Sequence, residues 1–589
     1  MLTCVHPNRP SSPVLPVLPD WLAHYRRDNL SSDLLAGLIV AVLVIPQSLA
    51  YALLAGLPPQ AGLYASILPV IAYALFGSSS LQAVGPVAIT SIMTFAVLSP
   101  LAAAGSPHYV ALAAGLCLCS GLMTMAFGFL RLGFLSQLLS RPVVSGFISG
   151  SAVLIIISQL KFLLGVQASG SNSWLALQSL LGQLDQARPV TLTLGVAALL
   201  WLTLSRYGLA AWFARLGWRA QAAEVWVRVM PLVVLAAATL CVAALDLDTR
   251  YQVAVVGAVA EGLGGAHFFV PGLDEVRVLL MPALIMAFIG TVQNITMGQA
   301  LAAKRRERLE PNRELVGLGA ANVVAAFYGG MPVGGGLSRS AINLAAGART
   351  PMASVAAAAS MLLIVLAGTH WFARLPLAVL AASIVVAAIS MIDVRAFRQA
   401  WSYDRADALA LLGTAAGVLL LGLELGIATG IVLSLVTLLV RASTPHIAVI
   451  GRIAGTEHFR NIERHGVETI PGVLFLRIDE SLFFGNLSAV EARLGAELMK
   501  DARIHDLVLI MSAVNRVDTT AMEVLTDMNR DLSARGVRLH LAEVKGPVQD
   551  RLLNSPLWAT LSGTVHLSVN SAFQTLAAER MVETGLYVI

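Results

Sequence analysis

Apolar blocks of about twenty residues follow one another from Leu34 to Val440 with only short polar connections between them. A bilayer offers no water to backbone N–H and C=O groups, so such a chain must satisfy them within helices or a closed barrel. A helix needs roughly 20 apolar residues to cross about 30 Å of hydrocarbon, and the blocks have this length. With 57% hydrophobic and 12% charged residues, the chain is predicted to be a polytopic α-helical membrane protein.

Basic residues fall in alternate connections, which predicts that these connections are cytoplasmic. Counting crossings in this way gives about fourteen spans, with both termini on the cytoplasmic side of the inner or plasma membrane. We predict a cytoplasmic N-terminal segment over 1–30, a transmembrane domain over 31–443 and a cytoplasmic domain over 444–589. The basic connections contain Arg131 with Arg141, Arg206 to Arg228, Lys304 to Arg308, and Arg395 to Arg405.

The basic residues are scattered in short clusters, so the formal net charge of +5 does not predict a nucleic-acid surface. Of the four cysteines, Cys4 stands alone near the terminus, and Cys117, Cys119 and Cys241 lie in apolar segments without histidine or carboxylate neighbours, which disfavours a metal site. No pairing of a nucleophile with a base is evident either, so we expect no enzyme activity and no cofactor.

Two glycine-containing breaks, over 84–92 and 333–342, share a Val-Gly opening, small residues, hydroxyls and a following apolar helix. The helices that they open, Pro86 to Leu98 and Leu337 to Ala346, are too short to cross the membrane alone. We interpret them as half-helices at equivalent places in an inverted repeat of seven plus seven spans. The alternative is that Gly-Pro and Gly-Gly merely kink ordinary packing helices.

A helix N-terminus presents unpaired N–H groups and roughly half a positive charge, so two that converge favour a small anion. Arg339 would raise the local potential and Ser338 would supply a hydroxyl donor. Backbone dipoles with a single cation suit a site that must release its ion as well as bind it. Alternatively, Arg339 snorkels to the interface or pairs with a carboxylate such as Glu424.

The first span also carries polar groups, because Gln47 and Tyr51 lie four residues apart and therefore on one helix face. Both could reach a cavity within the membrane. A structural role is equally open, in which Gln47 caps the carbonyls that Pro46 leaves unpaired.

The segments that carry a family resemblance are Asp33 to Gly37, Ile45 to Ala52, Ala55 to Pro59, Gly62 to Ser66, Val84 to Ala88, Pro311 to Leu315, Gly317 to Asn322 and Ser338 to Asn343. Together these motifs resemble the SulP anion-permease family, also called solute carrier family 26. The resemblance implies seven plus seven inverted spans, with uracil-transporter-like core and gate domains that move as an elevator, in a homodimer that transports sulfate, bicarbonate, chloride or dicarboxylates. By the same resemblance the anion would contact Gln47, Tyr51, Val87, Ala88, Leu337, Ser338 and Arg339.

The chain departs from this family at the eighth span, where Gln293 and Asn294 stand in place of a glutamate and serine that many members carry. Glutamine cannot titrate, so proton symport through this position is excluded and a sodium site built on carboxylates is disfavoured. We therefore favour anion exchange or uncoupled passage. Gln293 could donate a hydrogen bond to the substrate, or it could only join neighbouring helices.

The C-terminal part alternates buried strand patterns, Val473 to Ile478 and Leu507 to Met511, with helical periodicity, and it resembles a STAS domain. Asp518, Thr519 and Thr520 lie between a strand and a helix. A threonine there could be phosphorylated or bind a cytoplasmic regulator, or its hydroxyl could simply cap the helix.

These features predict a secondary transporter of small inorganic or carboxylated anions. The second hypothesis is a channel-like or sensory membrane protein in which the anion controls conformation. The third hypothesis is a nucleobase permease of related architecture. The Ser338-Arg339 pair disfavours it, because nucleobases are typically bound by carboxylate side chains.

Overall fold

The structure, a computed structural model, describes residues 19–137, 140–167, 173–206, 220–257, 272–367 and 372–583. The chain divides into two compact units, Met1–Ser434 and Leu435–Ile589. Helices dominate up to Ser443. They are α1 (Asp20–Ala23), α2 (Leu30–Leu54), α3 (Pro59–Tyr64), α4 (Leu68–Phe76), α5 (Ala88–Leu98), α6 (Pro107–Phe129), α7 (Arg141–Leu164), α8 (Ser173–Leu181), α9 (Pro189–Leu204), α10 (Ala220–Ala244), α11 (Leu247–Arg250), α12 (Leu273–Arg305), α13 (Pro311–Phe327), α14 (Leu337–Ala345), α15 (Met352–Ala367), α16 (Leu377–Ile389), α17 (Val394–Tyr403), α18 (Arg405–Leu421) and α19 (Leu423–Ser443).

Within the described ranges, seven helical segments are long and apolar enough to cross a membrane, and four shorter apolar helices accompany them. Helix α5 has 11 residues and α14 has 9. At 1.5 Å per residue they extend about 16 and 14 Å, roughly half of the hydrocarbon thickness. Both are therefore half-helices in length, as the sequence predicts.

The helices of the first unit pack in two groups. In one group α6 and α4 pack on α13, α12 packs on α6, and α15 packs on α2. In the other group α7 and α9 pack on α16, and α18 packs on α7. Small residues allow close approach between helices in both groups: a Cβ on Gly319 of α13 would lie 2.6 Å from the Met125 amide nitrogen of α6. The half-helices α5 and α14 both contact α2, which belongs to the first group.

The second unit contains a six-stranded sheet of order β4-β3-β5-β6-β7-β8. The strands from β5 to β8 are parallel, and β3 is antiparallel to both of its neighbours. Strand β5 has the predicted bounds. The elements are β3 (Ile447–Arg452), β4 (Phe459–Asn461), β5 (Val473–Ile478), α20 (Leu487–Lys500), β6 (Asp506–Ile510), α21 (Thr519–Ala534), β7 (Arg538–Ala542), α22 (Gly546–Leu552), α23 (Pro556–Thr560), β8 (Val565–His566) and α24 (Val569–Glu583).

Both faces of this sheet are covered, which explains why Val473 to Leu476 of β5 and Leu507 to Ile510 of β6 are continuously apolar rather than alternating. One core contains Leu494 of α20 and Leu525 of α21 against Leu476 and Leu509. On the opposite face Phe573 of α24 packs with Phe459 and Phe475. The result is an α/β unit with two hydrophobic layers.

A buried polar cluster lies along β6, β7 and β8. The Asp506 carboxylate accepts hydrogen bonds from Arg538 Nε at 2.7 Å and Arg580 Nη2 at 3.0 Å, and lies 3.2 Å from His540 Nε2. His566 stacks beside His540, with ring centroids 5.6 Å apart. Burial alone would raise the pKa of Asp506, but hydrogen bonds with His540 and Arg538 hold it below its usual range. Burial, with a further effect of His540, lowers the pKa of His566.

Both shifts predict that acid destabilises this domain. His566 binds a proton less readily in the folded state, so its contribution is complete above a pH of about 6.5 and is lost as the pH falls. Asp506 adds a second loss below a pH of about 4, because its folded pKa is also depressed. Hydrogen exchange of β6 and β7 in the full-length protein should therefore give a lower free energy of opening at pH 5.5 than at pH 7.5. In His566→Gln that difference should shrink, and an unchanged difference would contradict the assignment to His566.

Candidate anion site

Two short strands join the breaks that precede the half-helices. Strand β1 (Val84–Gly85) pairs antiparallel with β2 (Gly334–Gly335), with Val84 opposite Gly335 and Gly85 opposite Gly334. Helix α5 begins three residues after β1, and α14 begins two residues after β2. Because the paired strands run in opposite directions, the two helices start close together and run apart.

Neither half-helix is capped by a side chain. The N-cap residues are Val87 for α5 and Gly336 for α14, and neither makes a side-chain cap hydrogen bond. Val87 and Ala88, two of the predicted contacts, therefore form the uncapped start of α5. Helix starts of this kind leave N–H groups for an acceptor outside the helix, such as an anion.

Arg339 connects the two helix starts. Its side chain is only 4% exposed, and it donates from Nη1 to the Val84 carbonyl at 3.2 Å and from Nη2 to the Pro86 carbonyl at 3.4 Å. The guanidinium of α14 is thus fastened to the backbone that leads into α5. The side chains of Leu337 and Ser338, and of the alternative partner Glu424, lie outside the described residues.

Gly85 makes room for this guanidinium. A Cβ atom on Gly85 would lie 1.6 Å from Arg339 Nη1. No ordinary side-chain adjustment relieves such an overlap while the two carbonyl hydrogen bonds are kept. The glycine at this position is therefore a steric requirement of the Arg339 position.

Helix α2, which carries the predicted Gln47 and Tyr51, packs against both α5 and α14. Tyr51 packs on the hydrophobic cluster that contains Ala88, and its phenol lies within electrostatic range of Arg339. Helix α2 continues through Pro46 without interruption. The Gln47 amide makes no hydrogen bond with the described part of the chain, so carbonyl capping by this side chain is not observed there.

Gln293 on α12 donates from Nε2 to the Gly335 carbonyl at 3.2 Å. It therefore joins α12 to β2, the strand that precedes α14. A carboxylate at this position could not donate that hydrogen bond unless it were protonated.

Polar side chains that the sequence did not single out individually hold the same segment. Asn322 of α13 accepts from the Val333 amide at 2.9 Å and donates to the Val333 carbonyl at 3.0 Å. Ser340 accepts from the Ala83 amide at 3.0 Å, and Thr90 donates to the Pro332 carbonyl at 3.1 Å. Each of these residues lies within one of the segments described in the sequence analysis. A polar residue at membrane depth is the sequence feature that could have identified them.

The predicted regulatory segment lies at the start of α21. The helix is capped by Asp518, whose carboxylate accepts from the Ala521 amide at 2.8 Å and also from the Phe484 amide at 3.0 Å. The interpretation that a threonine hydroxyl caps this helix is therefore wrong: the aspartate precedes the threonines and occupies the N-cap. Thr519 and Thr520 are exposed in the first turn.

In this helical bundle, two half-helices without side-chain caps begin beside one pair of short antiparallel strands. That arrangement is typical of the class of secondary transporters built on broken helices. The comparisons with known proteins agree. Residues 30–414 match the Sulfate permease family, and residues 466–572 match the STAS domain. The chain therefore belongs to the sulfate permease family, whose members are anion transporters rather than enzymes.

Individual relatives support both parts. A probable sulfate transporter of Mycobacterium tuberculosis (strain CDC 1551 / Oshkosh) is 34% identical over 530 residues, 90% of this chain and 92% of the relative. A solved structure of SLC26A9 superposes with a TM-score of 0.86 at 21% identity, over 97% of this chain and 94% of the other. The transmembrane domain of a cyanobacterium bicarbonate transporter, BicA, gives a TM-score of 0.57 at 26% identity, over 70% and 98%. The predicted fold class and family are confirmed.

Proposed function

We propose that this protein transports small oxyanions or carboxylates, with sulfate as the first candidate, and holds the anion between the starts of α5 and α14. The antiparallel β1–β2 strand pair supports this proposal most directly, because it brings two uncapped helix starts and the Arg339 guanidinium to the same place. Val87, Ala88, Leu337, Ser338, Gln47 and Tyr51 complete the proposed contacts. The sulfate transporters among the relatives make sulfate the natural first substrate to test.

Alternating access of the elevator type fits the packing of the first unit. The half-helices belong with the α2, α6, α12 and α13 group, whereas α7, α9, α16 and α18 form another group. If the first group moved against the second, the β1–β2 strand pair and both half-helices would move with it as one rigid body. We further propose a homodimer in the plasma membrane or inner membrane with both termini cytoplasmic, and regulation through Asp518, Thr519 and Thr520.

Exchange or uncoupled passage is proposed rather than proton symport, because Gln293 already donates to the Gly335 carbonyl and cannot titrate. Proteoliposomes containing the purified protein should take up labelled sulfate, and the rate should rise when a trans anion is present. An inward proton gradient alone should not drive accumulation. Uptake that needs no trans anion and shows channel-like conductance would favour the channel hypothesis, and a panel with labelled bicarbonate and fumarate would define the substrate.

The Arg339→Ala variant should lower anion affinity, because it removes the buried cation and releases the Val84 and Pro86 carbonyls. A hydrogen bond to a charged group contributes about 1.5 to 3 kcal/mol, so we expect at least a tenfold rise in the KM for sulfate. Ser338→Ala should act in the same direction with a smaller effect. Arg277→Ala, on the exposed surface of α12, is the matched control. Unchanged uptake by correctly inserted Arg339→Ala protein would reject the proposed site.

A further inference from the structure

Glu314 of α13 is a fully buried carboxylate that lies within the Pro311 to Leu315 motif, but the proposed site assigns it no role. Its Oε1 atom accepts from the Ser78 amide, the Ser78 hydroxyl and the Ser79 amide, each at 2.7 Å. Its Oε2 atom accepts from the Tyr73 hydroxyl at 2.5 Å and from Asn294 Nδ2 at 3.3 Å. An ionised carboxylate is an acceptor only, and all five partners are donors that carry no charge.

This carboxylate sets the orientation of two side-chain amides, first that of Asn294 and, through it, that of Gln82. Because Glu314 can only accept, Asn294 must present its Nδ2 group to it, which turns Asn294 Oδ1 toward Gln82. Gln82 must then donate from Nε2, and the same nitrogen reaches the Asn294 carbonyl at 3.3 Å. Both amides are buried. The charge on α13 is thus connected to the loop before β1 by a chain of oriented hydrogen bonds.

The two amides lie directly against strand β2. A Cβ on Gly335 would lie 2.3 Å from Gln82 Nε2 and 2.7 Å from Asn294 Oδ1. Gln293, which adjoins Asn294, donates to the Gly335 carbonyl. Strand β2 is therefore supported on the side of α12, just before the start of α14.

We propose that Glu314 is a positioning residue for anion transport, which acts through Asn294 and Gln82 to hold the Gly334–Gly335 strand and the start of α14 in place. The inference rests on the proposed function. A neutral glutamine at position 314 cannot accept from all five donors, because its amide group must face one of the two donor sets. On the Oε2 side it would force Asn294 to rotate, and the hydrogen bond from Gln82 would be lost.

The test compares Glu314→Gln with Asp33→Asn in the full-length protein. Asp33 is another buried carboxylate of the same unit, and it accepts from the Arg349 and Thr350 amides and the Thr350 hydroxyl, none of which belongs to β1 or β2. Both variants should lower thermal stability. Only Glu314→Gln should raise the KM for sulfate, by about tenfold, or 1.4 kcal/mol, and only it should speed hydrogen exchange over residues 333–341.

A double variant that moves the carboxylate from position 314 to position 294 should restore transport. A general loss of stability does not predict such a rescue. In Glu314→Gln with Asn294→Asp, the aspartate can accept from both the new glutamine and Gln82, so the KM should return toward the wild-type value. Should Glu314→Gln fail to insert, Asn294→Ala removes the same link while leaving four donors on Glu314, and it should reproduce the KM and exchange effects.

A wild-type KM together with unchanged exchange over 333–341 in Glu314→Gln would overturn the inference, as would equal effects in Asp33→Asn. Failure of the proposed function has a different signature, since wild-type protein would then show no sulfate, bicarbonate or fumarate uptake. Hydrogen exchange needs no substrate, so it decides the positioning role of Glu314 in that case as well.

Discussion

Replacement of Gly85 by alanine is expected to lower anion transport by about tenfold or more while leaving the protein inserted in the membrane. The added methyl group would lie 1.6 Å from Arg339 Nη1, so the guanidinium has to leave the Val84 and Pro86 carbonyls. Hydrogen bonds to a charged group contribute about 1.5 to 3 kcal/mol each. Arg339→Ala loses the same two hydrogen bonds, so we expect a fall of the same order, about tenfold or more, in the initial rate of labelled sulfate uptake at subsaturating concentration.

The matched control is Gly290→Ala on α12. Among the described residues, the added Cβ would meet the Leu318 side chain alone, at an ordinary van der Waals distance of 3.6 Å. Uptake by this variant should equal that of the wild type when normalised to the amount of inserted protein. If Gly85→Ala also transported within twofold of wild type, the position of Arg339 would have no part in transport.

Asp506→Asn is expected to destabilise the STAS domain by about 1 to 3 kcal/mol. An amide keeps one acceptor oxygen where the carboxylate has two, so donors that now meet Asp506 lose a buried acceptor. Here the carboxylate is fully buried, and both Arg538 and Arg580 donate to it. Hydrogen exchange of β5, β6 and β7 in the full-length protein measures the loss as a lower free energy of opening.

Asp501→Asn provides the comparison, since Asp501 pairs with Arg503 at the surface of the same domain. Exposed ion pairs contribute little, so this variant should leave the exchange of the sheet unchanged. Equal behaviour of the two variants would mean that the Asp506 cluster is not a source of stability.

The features that the sequence predicted well are those encoded by local pattern. Half-helix lengths follow from the Gly-containing breaks and the short apolar runs after them, and β5 follows from a continuous apolar run with flanking glycine. The STAS strands β3, β4 and β8 were missed. Strand β4 is three residues long and β8 is two, which is too short for a periodic signal.

The site depends on contacts that no local pattern contains. The β1–β2 pairing joins segments about 250 residues apart with two residues on each side. Glu314 meets Tyr73 and Ser78 from an equally distant part of the chain. Sequence reasoning could identify these residues as polar groups at membrane depth, but their partners are set by how α4, α12 and α13 pack.

The half-length of α5 and α14 has an electrical consequence. An anion held at the proposed site, where two such helices begin, would lie near the middle of the bilayer, so about half of the transmembrane potential would separate it from either aqueous phase. Moving one elementary charge across the whole membrane is worth about 2.3 kcal/mol per 100 mV. A singly charged substrate anion at this depth would therefore gain or lose roughly 1 kcal/mol per 100 mV when it leaves the site. Its residence time at the site would depend on the membrane voltage.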